Sequence, residues 1–95
     1  MAKGYWIASV TITDPDRYMG YQHHAPEAFK KYGARFLARG GDAVSLEGTA
    51  FERHVVIEFD SMEQALACYR SPEYSAARTH RDGACVANIV IVEGL

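Results

Sequence analysis

The stretch "RHVVIEFDSMEQALACYR", Arg53 to Arg70, holds two periodicities side by side. Its first seven residues alternate, with Val55, Ile57 and Phe59 on one side of an extended chain and His54, Val56 and Glu58 on the other. From Ser61 the period lengthens, and Met62, Ala65, Leu66 and Tyr69 recur at the spacing of one helical face. Ser61 and Gln64 stand three apart, the spacing at which a hydroxyl and a side-chain amide satisfy two helix-start donors reciprocally. The stretch therefore predicts a strand that turns directly into a helix.

The same strand-then-helix reading holds at the other end of the chain. "GYWIASVTI", Gly4 to Ile12, is a strand with Trp6, Ala8, Val10 and Ile12 on an apolar face and Tyr5, Ile7, Ser9 and Thr11 on a mixed one. Asp14 is the helix cap that follows, with Pro15 suited to the first helical position. Tyr18, Tyr21, Gln22, Ala25, Phe29 and Tyr32 form the stripe of that helix, and Gly33 stops it. Pro26 lies inside the pattern and predicts a kink or break near His24–Ala25.

Between the two units, "ARFLARGG" reads as a strand with Phe36 and Ala38 on one face, and Arg35, Leu37 and Arg39 on the other. Gly40-Gly41 bends it, and "DAVSLEG" extends it in a new direction. After Arg70, Ser71 and Pro72 start a further helical piece that ends before Gly83, and "VANIVIV" is a last strand. The order β-α-β-β-α-β predicts an α+β, ferredoxin-like fold over residues 1–95, a four-stranded antiparallel sheet with helices on one face.

In that fold one sheet face is left without helices. Here the first and third strands offer it mixed faces, Tyr5 and Ile7 with Ser9, and Val56 between His54 and Glu58. The last strand is apolar on both faces, with Val86, Val90 and Val92 against Ala87, Ile89 and Ile91, so the open sheet face is too apolar for water over its whole width. The chain is 95 residues long yet 48% apolar, more than so small a core needs. A homodimer packed sheet to sheet, a dimeric α/β barrel, is the expectation.

Bulk properties exclude several classes. A net charge of −2 leaves no basic footprint for nucleic acid, and the third strand has apolar residues where an RNA-stacking platform would need aromatics. No apolar run is long enough to span a membrane, and "MAKGYWIASV" lacks the pattern of an export signal. Cys68 and Cys85 form no C-x-x-C pair and read as reduced, structural thiols in a cytoplasmic protein.

Taken together, "KGYWIASVTITDP", "KYGARFLARGG", "LEG", "HVVIEF", "ALACYRSPEY" and "RDGA…VIVEG" resemble, in order and over the whole chain, the domain-of-unknown-function family 1330. The resemblance implies the dimeric α/β-barrel fold and its face-to-face assembly. That superfamily includes cofactor-independent monooxygenases, isomerases, haem-binding peroxidase relatives and transcriptional effector domains. It implies no particular reaction. Asp60 follows the third strand where many relatives have proline, a change confined to a turn.

No metal or cofactor is expected. His23 and His24 are adjacent and cannot chelate as an i, i+4 pair would, and no closed ligand spacing appears. The expected site is a small-molecule pocket between sheet and helices. His54 is its natural acid or base, because imidazole titrates near neutrality. Arg39, Glu58, Tyr69, Tyr74 and Arg81 are the ligand-contacting candidates, with a guanidinium from Arg39 or Arg81 holding a carboxylate or a developing oxyanion. Glu58 alternatively pairs with Arg39 across neighbouring strands. The two readings are a binding dimer or cofactor-independent enzyme for a small oxygenated or aromatic metabolite, and a non-catalytic effector-sensing or protein-interaction module.

Overall fold

The computed structural model describes residues 2–95. Its elements are β1 (Gly4–Ile12), α1 (Pro15–Lys31), β2 (Arg35–Arg39), β3 (Arg53–Phe59), α2 (Met62–Arg70), α3 (Pro72–Arg81) and β4 (Cys85–Glu93). The four strands form one sheet in the order β2-β3-β1-β4, with every neighbouring pair antiparallel. This is the α+β, ferredoxin-like arrangement.

Strand alternation decides what is buried. Trp6, Ala8 and Val10 of β1 and Ile57 and Phe59 of β3 lie against the helices, which contribute Ala25, Ala28, Phe29, Ala65, Cys68, Tyr74 and Ala77. Trp6 is the hub. Its indole meets Phe29 and Tyr74 edge-on at 5.2 and 5.0 Å between centroids, and Phe59 and Tyr69 at 6.2 and 5.6 Å. Such aromatic pairs add to what burial alone contributes. Small residues on the facing helices (Ala25, Ala28, Ala65, Ala77) let those helices lie close enough to the sheet for these contacts.

Ser71 joins the two helical pieces. Its hydroxyl donates to the Cys68 carbonyl at 2.6 Å and accepts from the Tyr74 N–H at 3.1 Å, closing α2 and opening α3 with one buried side chain. Tyr74 is thereby held in the first turn of α3, pointing into the core.

Four local expectations are corrected. The helix does not break at Pro26: α1 runs unbroken from Pro15 to Lys31. Proline removes the N–H that would satisfy the Gln22 carbonyl, but Ala25, Ala28 and Phe29 are buried on both sides of it and hold the helix together. The capping box is half formed. Ser61 accepts from the Gln64 N–H at 3.1 Å, whereas the Gln64 amide donates to the Tyr32 carbonyl at 2.9 Å and ties α2 to the end of α1. "DAVSLEG" forms no strand; residues 41–50 are exposed and irregular, with Val44 and Leu46 open to solvent.

The fourth correction matters most. The alternation of β2 breaks at Leu37, where the pairing steps from Phe36↔Ile57 to Ala38↔Val56. A single extra residue in one strand turns every later side chain to the opposite face. Arg39, expected to oppose Phe36, instead sits across from Val55 on the helix-facing side, its guanidinium carbon 4.3 Å from the Phe36 ring centroid.

Candidate functional site

The bulge feeds a cavity between α1 and the sheet. Its floor is Trp6, Ala8, Val10, Val55, Ile57, Ala87 and Ile89, and its roof is Tyr18, Tyr21, Gln22, Ala25, Pro26 and Phe29 of α1. Measured as the space open to the centre of a water molecule it is about 100 Å³, room for several waters or a single-ring ligand. Three arginines complete the wall. Arg39 and Arg53 stand on the β2–β3 side, and Arg81 at the end of α3.

Among the described residues no carboxylate lines this cavity. Among the described residues the ion pairs are Lys31–Glu73, Arg35–Glu58 and Arg35–Asp60, so Arg39, Arg53 and Arg81 have no acidic partner. An apolar chamber with unpaired guanidiniums carries a positive field, and a guanidinium holds planar anions through parallel N–H donors. Arg53 also crosses the backbone at Gly40: a side chain there would run into its guanidinium, and Gly40 has φ of 69°. The glycine bend therefore opens the site for an arginine of the chain itself.

The Arg81 end is more polar. The Tyr21 and Tyr74 hydroxyls lie 2.6 Å apart, and Arg81 Nη2 is 3.5 Å from the Tyr74 oxygen. The Arg81 guanidinium carbon stands 5.2 Å from the Tyr21 ring centroid. Burial pushes both phenols above their ordinary pKa, so both carry their protons at neutral pH. Burial alone would lower the Arg81 pKa, but the Tyr74 and Tyr21 oxygens outweigh it and raise it, keeping the side chain cationic.

The sequence-nominated residues divide between the two faces of the sheet. Arg39 and Arg81 meet the cavity. Tyr74 stands directly behind it, and Tyr69 lies further along α2 between Trp6 and the Arg78 guanidinium, 5.0 Å from its ring centroid. His54 and Glu58 are on the opposite, helix-free face. His54 Nδ1 is 3.1 Å from the Ser9 hydroxyl. Glu58 pairs with Arg35 at 2.9 Å, not with Arg39, and accepts from the Tyr5 hydroxyl at 3.1 Å. Register explains this: Arg35 is directly across from Glu58, whereas the bulge has turned Arg39 away. The Arg35 guanidinium holds the Glu58 carboxyl below its ordinary pKa.

Arg53, Tyr21 and Gln22 also line the cavity, beyond the residues that the sequence pattern singles out. Arg53 was legible, because strand parity places it with Val55, Ile57 and Phe59. Tyr21 and Gln22 stood in the α1 stripe, but nothing in the sequence distinguishes stripe residues at a cavity from those in a solid core. Cys68 is fully buried, and burial pushes its thiol up to about 12, as suits an inert core residue. His24 and His80 are both exposed and stack across α1 and α3 at 4.1 Å, a contact that spacing could not reveal.

Fold and cavity together define a ferredoxin-like α+β domain with a cation-walled chamber under its first helix. The chain belongs to the family described as "Domain of unknown function (DUF1330)", whose profile matches residues 3–95. Comparison with curated proteins finds no match. Among solved structures, the chain is similar to a protein of unknown function from Rhodopseudomonas palustris, with a TM-score of 0.79 at 17% identity, covering 99% of this chain and 83% of that one. It is also similar to SnoaB, a cofactor-independent oxygenase from Streptomyces nogalater (TM-score 0.62, 8% identity, 97% of this chain and 92% of that one). A third similar structure is a dimeric protein of unknown function with a ferredoxin-like fold from Bacteroides fragilis (TM-score 0.57, 15% identity, 96% and 95%). At these identities the likeness concerns the fold. No helix among the described residues is long and apolar enough to cross a membrane.

Proposed function

We propose that this protein is a small-molecule-binding homodimer whose cavity takes a compact, oxygenated aromatic metabolite bearing an anionic group. The observation that carries this reading is the unpaired set of Arg39, Arg53 and Arg81 around an apolar chamber with no carboxylate in its wall. The aromatic and aliphatic floor would take a ring, and the guanidiniums would take its charge. Tyr69 and Tyr74 support the wall. His54 and Glu58, on the helix-free face, would serve the contact between protomers.

The dimer is supported by the apolar surface of that face. Ile7, Val86, Val90 and Val92 are 42 to 58% exposed there, in register across β1 and β4. The dimeric neighbour from Bacteroides fragilis shares the fold. A cofactor-independent reaction like that named for SnoaB is compatible with the chamber. Binding is favoured over acid–base chemistry because, among the described residues, no histidine or carboxylate lines it.

Thermal unfolding with benzoate- and salicylate-type acids tests the proposal. At ten times its dissociation constant, a ligand specific to the folded state adds about 1.4 kcal/mol, or about 6 to 11 °C in Tm for a domain of this size. Arg53→Met should abolish the shift while leaving the unliganded Tm near its original value. No shift with any aromatic acid would refute the reading.

A further inference from the structure

Hydrogen-bond bookkeeping at the Arg81 end of the cavity fixes a direction. Tyr74 is 0% exposed, and its hydroxyl meets the Tyr21 hydroxyl and the Arg81 guanidinium. A guanidinium only donates. The Tyr74 proton therefore has Tyr21 as its acceptor, and the order runs Arg81 to Tyr74 to Tyr21. The proton of Tyr21 is left unspent, and Tyr21 lines the cavity. Arg81 lines the same cavity, and its guanidinium carries more N–H donors than its contacts to the Tyr74 oxygen and the Cys85 sulfur use.

We propose that this end of the cavity is an oxyanion subsite, in which the Tyr21 hydroxyl and the Arg81 guanidinium take a single charged oxygen on a planar carbon, a phenolate or enolate. Tyr74 is a positioning residue: it holds the Tyr21 oxygen as an acceptor, which polarises the outgoing O–H and strengthens it as a donor. The subsite is separate from Arg39 and Arg53, which lie on the β2–β3 side. This inference rests on the cavity reading above and narrows it from anions in general to one oxygen chemistry.

Titration with 4-nitrophenol, whose phenolate absorbs in the visible and forms near neutral pH, is the test. Binding should strengthen as the dye ionises, and the bound dye should ionise at lower pH than the free one. Tyr21→Phe should weaken phenolate binding by about 10-fold or more, the worth of a hydrogen bond to a charged group. Tyr74→Phe should move the ionisation of the bound dye back toward its free value. Benzoate, a single-ring acid whose carboxylate the Arg39 and Arg53 side would take, serves as the control and should bind wild type and both variants alike. The subsite is overturned if the wild type prefers the neutral phenol, a result that needs no variant, or if Tyr21→Phe binds phenolate as wild type does. If benzoate binds and no phenol does, the subsite fails and the cavity reading stands; if neither binds, both fail.

Discussion

Replacing Val90 with aspartate should split the proposed dimer while leaving the protomer folded. Val90 lies on the helix-free face of β4, directly across from Ile7, and is 58% exposed in the single chain. Its exposed part is what a second protomer would cover. Fully burying a valine is worth about 1.5–3 kcal/mol, so covering that 58% is worth roughly 0.9–1.7 kcal/mol per protomer. Two-fold symmetry repeats the loss, giving about 2–3.5 kcal/mol per dimer, or roughly 20- to 400-fold in dissociation constant. That is a lower bound, because the two new carboxylates must also be desolvated. Within the protomer the aspartate stays in water, and the change costs the fold no more than about 1 kcal/mol of strand preference. Sedimentation velocity from nanomolar to micromolar protein, with circular dichroism as the check on folding, reads both quantities. A wild type that sediments only as a monomer, or a folded V90D variant that dimerises as tightly as wild type, would refute the sheet-to-sheet reasoning.

Three further outcomes are expected. Gly4→Ala should lower the urea midpoint by the equivalent of about 1–3 kcal/mol, because a Cβ there would come within 2.6 Å of the Met62 Cα at the start of α2; Gly41→Ala, with nothing near its Cβ position, should leave the midpoint almost unchanged. With its thiol pushed up to about 12, Cys68 should carry roughly a thousandfold less thiolate at pH 8 than an ordinary cysteine and label only on unfolding, whereas half-buried Cys85 labels in the native state. Glu58 has its folded pKa held below 4.5 by Arg35, so its stabilisation is present above that value and lost as pH falls through the lowered one. Glu58→Gln should flatten the acid limb of the stability curve, and an unaltered limb would show that the Arg35 pair contributes nothing.

Most of the architecture was legible because it rests on local physics. Alternation in Gly4–Ile12 and Arg53–Phe59 predicted the buried faces correctly, and Asp14, Ser61 and Ser71 capped the helices where expected. The candidate site was half legible. Arg81 follows from helical spacing after Tyr74, and both reach the region of the cavity. Arg39 was nominated on the wrong strand face, because a bulge at Leu37 leaves no mark in a five-residue strand. Its pairing with Glu58 was lost for the same reason. Pro26 shows the converse: a strong local signal for a break was overridden by burial on either side of it.

The sequence by itself determined the order of strands and helices, the fold class, the capped starts of the helices and the presence of apolar residues on both sheet faces. These follow from side-chain period, capping chemistry and turn residues, all of which act over a few neighbours. Only the tertiary structure decided which polar residues meet. Strand register set Arg35 against Glu58, one extra residue in β2 turned Arg39 inward, and α1 lying over the sheet left a chamber that Arg53, Tyr21 and Arg81 enclose. Those meetings depend on residues tens of positions apart arriving at one place, and no local pattern encodes that.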